Sequence, residues 1–329
     1  MKFRISPVWW PLLGITSPIL VPLLLVKNKR FRKAQVEAAR MNEERIEKAG
    51  HIELPEVDFL ELDVLVEWKV KKGFMGDAGV SYLFRTESGS MLYDVGHGPS
   101  NPALLHNAKE LNFNLEKINA LTISHLHKDH MGGLEAAKKK TVLFPKELMS
   151  STIKPCFLPD ESKAEGFREE LIKAPRVLTC GIASTGPLAR SLFTFGHTEE
   201  QALVVKLKNK GLAVFTGCGH PTIEVILKMV RKISDEPIYA IGGGLHFPIG
   251  EGRGNRAGVQ FQTIFGTGKP PWEKVSIDDL NRTIDAINKV NPQKVYLSAH
   301  DSSDFALDHF EKNLKAATHV LKAGESYSI

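Results

Sequence analysis

Cysteine is scarce in this sequence, which limits the kinds of protein it can encode. Only three cysteines occur among 329 residues, and no two of them have the C-x-x-C spacing. An odd, widely separated set provides no disulfide framework, so we expect a reducing compartment. The three are Cys156, Cys180 and Cys218.

Two catalytic signatures are also missing. No serine occupies a G-x-S-x-G turn, which argues against a Ser-His-Asp hydrolase. The segment GTGKPP (266–271) lacks the spacing of a P-loop. With 42% hydrophobic residues the chain still has enough apolar material for a sizeable core, in one large domain or two small ones.

Acidic residues are absent from the first 33 positions, which hold seven lysines and arginines. The remaining residues carry 36 basic and 38 acidic side chains, so the formal charge of +5 comes from the N-terminal segment. We therefore predict no nucleic-acid surface on the body of the protein. A basic flank at the N-terminus points instead to a membrane.

The basic flank follows an apolar run, VWWPLLGITSPILVPLLLV (8–26), of nineteen residues without a charge. A helix needs about 20 such residues to cross a bilayer. Five basic residues after the run outnumber two before it, so the positive-inside rule predicts a membrane-anchored protein with its body on the cytoplasmic side. A cleaved signal peptide fits less well, because its positive charge precedes the apolar run. Pro11, Pro18 and Pro22 weaken a straight helix, so a re-entrant or interfacial anchor stays open.

The chain is predicted to have three parts. Residues 1–30 form the membrane anchor with its basic flank. FRKAQVEAARMNEERIEKAG (31–50) is rich in helix formers and mixed charge with little apolar face, so residues 31–54 are interpreted as a solvated helical stalk and linker that ends its helix at Gly50. Residues 55–329 form the folded domain.

Short apolar runs alternate with helical patterns in this domain. Residues 59–70, 80–86 and 90–96 are predicted strands, and the turn signal ESG joins the last two. Residues 101–112 are a predicted helix. Two strand-rich halves, each followed by helices, predict two sheets packed face to face with helices outside, an α/β (α+β) fold.

The most informative stretch is SHLHKDHMGG (124–133), which places three histidines and an aspartate within six positions. It lies between LTIS (121–124), a predicted buried strand, and MGGLEAAKKK (131–140), a predicted helix. An isolated histidine is more often an ordinary surface or core residue, but four potential ligands in one strand-to-helix turn predict a metal site. The four are His125, His127, Asp129 and His130.

The pattern H-x-H-x-D-H followed by G-G resembles the signature of the metallo-β-lactamase superfamily. The resemblance implies a four-layer αββα sandwich with one or two metals at its edge. It also implies that Asp94, in YDVGHG, braces the loop of metal-binding histidines, since a ligating imidazole needs an acceptor for its other N–H. An ordinary aspartate turn before Gly96 is the alternative. His97 is expected to be a solvent-exposed loop histidine.

Four strand ends in the second half of the chain present further histidines. His220 and His300 lie at strand-to-helix positions, where sites in such sheets form, and are predicted metal ligands. His197 fits the G-H-T element of the superfamily and is a less certain ligand. His246, in GGGLHF, is expected nearer to the substrate than to a metal.

The longer segments EEQALVVKLKNKGLAVFTGCGHPTIEVI, GGGLHF and SAHDSSDFALDHF resemble one branch of these folds. It is the branch named for 7,8-dihydropterin-6-ylmethyl-4-(β-D-ribofuranosyl)aminobenzene-5′-phosphate synthase, and the likeness covers roughly residues 60–329. In TGCGHP, Cys218 stands where the wider superfamily has an aspartate that bridges two metals. The bridge would then be hydroxide alone or the Cys218 thiolate, so Cys218 is a less certain ligand. HDSS replaces the H-C-T-G common in the branch, so only His300 is carried over there.

A site of neutral imidazoles with one or two carboxylates suits Zn²⁺, with Fe or Mn as alternatives. One metal is predicted on His125, His127 and either His220 or His197, and a second metal on the remaining ligands. These remaining ligands are Asp129, His130 and His300.

The predicted function is a metal-dependent hydrolase of a phosphoester or related ester, with Asp129 and His130 as catalytic residues. One alternative is a dihydropterin-type transferase that displaces diphosphate, as in the synthase that names the branch. A second is a non-catalytic, membrane-tethered metal-binding or docking module. The expected substrate is a small anionic molecule, held in the glycine-rich segment 249–272 by Arg253 or Arg256. The sequence indicates no oligomeric state.

Overall fold

Two β-sheets packed face to face form the centre of the protein. The computed structural model describes residues 3–329. Its strands, in chain order, are β1 (Glu56–Val57), β2 (Glu61–Val66), β3 (Ser81–Thr86), β4 (Gly89–Tyr93), β5 (Ala120–Thr122), β6 (Thr141–Val142), β7 (Lys154–Leu158), β8 (Lys163–Ala164), β9 (Phe167–Leu171), β10 (Arg176–Thr179), β11 (Ile182–Ser184), β12 (Leu188–Leu192), β13 (Gly196–Glu200), β14 (Leu203–Leu207), β15 (Gly211–Thr216), β16 (Ile238–Gly243), β17 (Asn255–Arg256), β18 (Val259–Gln260), β19 (Lys294–Leu297), β20 (Ala317–Val320) and β21 (Ser326–Ser328).

The α-helices lie before, between and after these strands. They are α1 (Trp10–Lys48), α2 (Ala103–Glu110), α3 (Lys128–Met131), α4 (Leu134–Lys139), α5 (Ile223–Ile233), α6 (Phe261–Phe265), α7 (Ile277–Val290) and α8 (Asp304–Asn313). Short 3₁₀ turns cover Pro7–Trp9, Gly98–Ser100, Leu115–Lys117 and Lys146–Leu148.

The first sheet has the strand order β21-β2-β3-β4-β5-β7-β9, and the second has the order β10-β11-β14-β15-β16-β19-β20, with β1 paired to β14. Strands β4, β5 and β7 are parallel, as are β15, β16 and β19. Parallel neighbours bring their carboxyl ends to the same edge of a sheet, where ligand sites form. We therefore expect a site at the edge of each sheet where the carboxyl ends of its parallel strands lie.

Aromatic side chains fill the space between the sheets. Phe84 of the first sheet and Phe215 of the second meet edge to face, with ring centroids 4.7 Å apart. Tyr93 and Tyr296 pack beside them, and all four side chains are buried. This inter-sheet core explains why the inner faces of these strands are apolar, since two sheets become stable by covering each other's inner faces.

Helices cover the two outer faces. Leu104 and Ala108 of α2 and Ala136 of α4 belong to the core outside the first sheet. Ile226 of α5 and Phe310 of α8 belong to the core outside the second. The predicted four-layer αββα arrangement is confirmed.

Helix α1 contains both the predicted anchor and the predicted stalk. It runs without interruption through Pro18 and Pro22. Proline has no N–H, so Pro18 leaves the carbonyl of Gly14 without its helical donor. The Ser17 hydroxyl donates to that oxygen at 2.7 Å, which compensates for the lost bond.

The prediction of a solvated stalk over residues 31–54 is wrong. Phe31, Ala38 and Asn42 are buried, and α1 packs against β12. The Asn42 amide donates to the carbonyl of Ala189 at 2.8 Å and accepts from its N–H at 2.6 Å. The second half of α1 is thus an integral part of the fold, and the helix ends at Lys48 rather than at Gly50.

The apolar segment 8–26 has a different environment. The most apolar window of its helix is 0% buried, and the helix is long and apolar enough to cross a membrane. Both ends of the segment nevertheless contact the same domain. The Ser6 N–H donates to the carbonyl of Gly258 at 2.8 Å, and Arg32 forms an ion pair with Glu273 at 2.6 Å.

Candidate metal centre

The first ligand turn, residues 124–130, begins where β5 ends. His125 is completely buried, and His127 immediately precedes α3. The chain then reverses through Gly132 and Gly133, whose φ angles of +110° and +98° favour glycine. A Cβ on Gly132 would lie 2.3 Å from the carbonyl oxygen of Leu143, so the two glycines separate α3 from α4. The helix predicted for residues 131–140 is present, but it begins later, at Leu134 after the two glycines, and ends at Lys139.

Asp94 holds this turn from the end of β4. Its carboxylate accepts from the N–H and the hydroxyl of Ser124, both at 2.6 Å, and lies 2.7 Å from Nδ1 of His130. It is 0% exposed and has a φ of +62°, a strained value for a residue with a side chain. The structure thus places Asp94 where the sequence predicted a bracing residue. Burial opposes protonation of His130, but Asp94 raises its pKa to about 9.

The second ligand turn, residues 217–220, follows β15 and is held by Glu200. The two carboxylate oxygens accept from four consecutive backbone N–H groups at 2.7–3.1 Å, those of Gly217, Cys218, Gly219 and His220. Burial raises the pKa of Glu200 to about 7, and these N–H groups oppose that shift. The turn is shaped by hydrogen bonds to its backbone.

A third strand end supplies His300. Its Nδ1 lies 2.6 Å from the hydroxyl of Ser298, which also contacts the buried carboxylate of Glu67. Burial raises the pKa of Glu67 to about 7, while hydrogen bonds from Ser298 and Tyr82 oppose the shift. This chain of contacts orients the ring so that Nε2 points to Cys218, 3.2 Å from its Sγ.

The three strand ends bring seven ligand-type residues into two adjoining groups, in each of which the ligand atoms lie within 4.8 Å of one another. In the first group, Nε2 of His220 lies 3.1 Å from Nδ1 of His127. In the second, Sγ of Cys218 lies 3.1 Å from Nε2 of His130. The first group is His125, His127 and His220, and the second is Asp129, His130, Cys218 and His300.

The donor set fits a metal. Burial lowers the pKa of His125, His220 and His300 well below 6.5, so these rings are neutral and keep a lone pair for an acceptor. Among residues 3–329, no group bonds to the buried Nε2 of His125. A buried polar atom without a partner is costly, and a cation bound to the imidazoles would satisfy it.

Comparisons with known proteins agree with this architecture. The profile of the metallo-beta-lactamase superfamily matches residues 75–143, which include the first ligand turn. The structure of a metal-dependent hydrolase of the beta-lactamase superfamily superposes with a TM-score of 0.59 and 20% identity, covering 82% of this chain and 99% of that one. The chain has the metallo-β-lactamase fold.

Two further relatives share this fold or resemble its sequence. A 7,8-dihydropterin-6-methyl-4-(beta-D-ribofuranosyl)-aminobenzene-5'-phosphate synthase from Methanocaldococcus jannaschii is 26% identical, covering 53% of this chain and 72% of the relative. The metallo-β-lactamase-fold protein YhfI from Bacillus subtilis is 12% identical with a TM-score of 0.48, covering 82% of this chain and 99% of that one. The resemblance to the synthase branch expected from the sequence is confirmed.

Two other histidines, a predicted ligand and a predicted loop residue, lie outside the ligand groups. Nε2 of His197 lies 2.7 Å from a Glu199 oxygen, and His197 belongs to neither ligand group. The structure therefore does not support it as a ligand. His97 is not a free loop histidine, because its Nδ1 lies 2.8 Å from the carboxylate of Asp77.

The structure does not support the predicted anion contacts in the glycine-rich segment. Arg253 donates to the carbonyl of Ala299 at 2.8 Å and to Asp304 at 3.0 Å, so its guanidinium is occupied by structural contacts. Arg256 is exposed on the small hairpin of β17 and β18 and does not line the cavity beside the ligand groups.

His246 lies where the sequence predicted, beside the ligand groups. It forms a third cluster with Cys218 and His220, and its φ of +61° is strained. Its backbone N–H donates to Asp301 at 2.9 Å, which holds the ring at the edge of the site. Both ring nitrogens are buried and lack a hydrogen-bond partner among the described residues.

Sequence reasoning missed Glu200, Glu67 and Arg190. Glu200 and Glu67 act on residues far along the chain, and no short motif in the sequence marks such a contact. Arg190 is the one charged residue of the strand LARSL, whose other four residues are buried.

Proposed function

We propose that the protein is a metal-dependent hydrolase of a phosphoester or related ester. The observation that carries the proposal is the side-by-side placement of two ligand groups, with Cys218 at the boundary between them. Divalent ions held by these residues would supply Lewis-acid polarisation and activate water at neutral pH. Zn²⁺ suits the imidazole-rich donor set, with Fe or Mn as alternatives.

The chain's own residues supply orientation and charge. We assign His125, His127 and His220 to one ion and the second group to the other. Asp129 is the partly exposed member of its group, and the neighbouring histidines, against the effect of burial, lower its pKa to about 2. An ionised carboxylate at this position balances the charge of the ions and accepts a hydrogen bond from an incoming nucleophile. Asp94 fixes the ring of His130 for the same step.

The test is the metal content of the purified full-length protein together with turnover of bis(4-nitrophenyl) phosphate, in wild type and in Asp129→Ala/His130→Ala. We expect two equivalents of metal in the wild type, and loss of turnover with one equivalent in the variant. Absence of metal above background in the wild type contradicts the site assignment.

A transferase is the second candidate, because the relative from Methanocaldococcus jannaschii is a synthase. In that case the same ligand groups would bind a diphosphate leaving group. Full metal content without phosphodiester turnover would favour this function, or a non-catalytic metal-binding module. Release of diphosphate from a pterin methyl diphosphate in the presence of an aromatic acceptor would identify the transferase.

We also propose that residues 8–26 attach the protein to a membrane without crossing it. A spanning helix would place its two ends on opposite sides, yet Ser6 and Arg32 contact the same domain. The apolar segment is exposed, and the lysines and arginines that follow it suit contact with anionic lipid headgroups. A membrane-impermeant maleimide should label cysteines introduced at Phe3 and at Lys173 from the same side of sealed vesicles. Labelling from opposite sides would show that the helix spans.

A further inference from the structure

A cavity of about 210 Å³ adjoins the first ligand group. His220 and His246 form the wall that it shares with the metal centre. The opposite walls come from β12, the start of α5, the segment 266–269 and α7. The volume is small for a whole ligand, since complete pockets are usually about 300–1,000 Å³, but it suits one end of a substrate.

Arg190 on β12 lines this cavity and is partly buried. Burial lowers its pKa, and the charge of Glu224 opposes that effect. Within the described part of the chain, the guanidinium has no hydrogen bond and no ion pair within 4.0 Å. A Cβ on Gly268 would lie 3.0 Å from Nη2 of Arg190, so the glycine leaves room for the arginine. A buried cation without a partner is unfavourable unless a ligand completes it.

Two more polar atoms of the cavity lack a partner. Oε2 of Glu224 and Oγ1 of Thr267 are buried, and no described residue bonds to them. Arg190 and Glu224 form no hydrogen bond or ion pair with each other, although the charge of Glu224 acts to raise the pKa of Arg190. Both side chains line the same cavity.

The start of α5 adds a third feature. This helix has 11 residues, and no side chain caps its first turn. Gly219, Thr222 and Ile223 at that end line the cavity. Uncapped N–H groups at a helix start favour a phosphate, and a guanidinium binds the same anion in bidentate geometry.

We propose that this cavity binds the phosphate group of a phosphate-bearing substrate on Arg190, and a neighbouring hydroxyl or amino group of the same molecule on Glu224. This proposal rests on the proposed function in one respect, since the bond that reacts is placed at the adjoining ligand groups. Thr267 supplies a further hydroxyl to the phosphate. Arg190 and Glu224 are then the residues that determine substrate specificity, while the metal ligands determine the reaction.

Calorimetric titration of the full-length, metal-loaded protein with glycerol 3-phosphate and with methyl phosphate tests this assignment. We expect Arg190→Ala to weaken binding of both by about 10- to 100-fold, the usual effect of losing a hydrogen bond to a charged group. Arg190→Lys should recover part of the affinity. Glu224→Ala should remove the preference for glycerol 3-phosphate over methyl phosphate. Arg168→Ala, an exposed arginine on β9, is the matched control and should bind like the wild type.

Two further measurements keep the subsite separate from the metal centre and from a structural role. The Asp129→Ala/His130→Ala variant should retain Arg190-dependent phosphate binding even if it has lost turnover. The thermal midpoint of unligated Arg190→Ala should equal or exceed that of wild type, because the substitution removes an unpaired buried charge. A lowered midpoint with unchanged phosphate affinity would overturn the proposal, as would binding that depends only on Asp129 and His130.

The phosphate can belong to a soluble molecule or to a lipid headgroup. Vesicles of phosphatidylcholine, with and without phosphatidic acid, separate these sources. If Arg190→Ala weakens binding to phosphatidic acid vesicles, the subsite takes a lipid headgroup. If only glycerol 3-phosphate binding depends on Arg190, the subsite takes a soluble metabolite. Independence of both from Arg190 would refute the subsite.

Discussion

Each of the two ligand turns is hydrogen-bonded to one buried carboxylate. The carboxylate of the first turn contacts mainly side chains, whereas that of the second contacts the backbone. Asp94 contacts side chains of the first turn, the Ser124 hydroxyl and the His130 imidazole, as well as one N–H. Glu200 contacts only backbone N–H groups of the second turn. Asp94 therefore orients a ligand side chain, whereas Glu200 fixes the backbone conformation of the turn that carries Cys218 and His220. Substituting Asp94 and substituting Glu200 should have different consequences.

The largest effect is expected from Glu200→Ala. Four buried N–H groups would lose their acceptor, and each unsatisfied buried donor costs about 1–3 kcal/mol, although water entering the space recovers part of this. We expect the free energy of unfolding to fall by about 3 kcal/mol or more, measured by urea denaturation of the metal-free protein. Metal binding by the first group should fall with it.

The neighbouring Glu199 is the control for Glu200. Its carboxylate pairs with Arg45 at 2.6 Å and bonds to the half-exposed His197, so it does not touch the ligand turn. We expect Glu199→Ala to cost about 1 kcal/mol, as for a partly exposed ion pair. If both variants lose the same free energy of unfolding, the hydrogen bonds from residues 217–220 to Glu200 do not contribute more to stability than the Glu199 ion pair.

A smaller, more selective effect is expected from Asp94→Asn. The amide keeps the size of the side chain and one oxygen acceptor but removes the charge that faces Nδ1 of His130. Loss of such a partner usually weakens metal binding by about 10- to 100-fold. Competition with a chelator should show this loss for the second group only, with little change in the urea midpoint. A large fall in stability instead would mean that Asp94 shapes the backbone, as Glu200 does.

The contrast also explains what the sequence could predict about the site. The first turn holds four potential ligands within six residues, and Asp94, which braces it, lies in a recognisable strand-end pattern. Local spacing is enough there. The second turn depends on Glu200, which acts 17 to 20 positions along the chain through N–H groups that every residue possesses. No side-chain pattern records such a contact, so only the fold reveals it.

The burial of the predicted stalk was also not predictable from local sequence. Its composition is that of a solvated helix, because only a narrow stripe faces the domain. Ala38 and Asn42, one helical turn apart, are buried on that stripe, and Arg45 continues it to Glu199. The stripe combines Phe31 with one alanine, one asparagine and one arginine, so its hydrophobic signal is weak. The burial follows from the β12 surface, which the local sequence does not show.

The smallest effect is expected from His197→Ala, and it tests which histidine completes the first group. The G-H-T element favours His197, whereas the geometry favours His220, whose Nε2 lies 3.1 Å from His127. Nε2 of His197 instead lies 2.7 Å from a Glu199 oxygen, and His197 belongs to neither ligand group. We expect His197→Ala to keep the full metal content and His220→Ala to lose one equivalent, measured by elemental analysis of both proteins.

Loss of metal in His197→Ala with normal content in His220→Ala would reverse this assignment. It would require β13 to move so that His197 leaves Glu199 and enters the group, which would also release Glu199 from its bond to the ring. The Arg45–Glu199 pair would then be the only contact holding that carboxylate, and Glu199→Ala would become less costly in the presence of metal than in its absence. With His220 as the ligand, Glu199→Ala has the same cost in both conditions, because the carboxylate and the metal group remain independent.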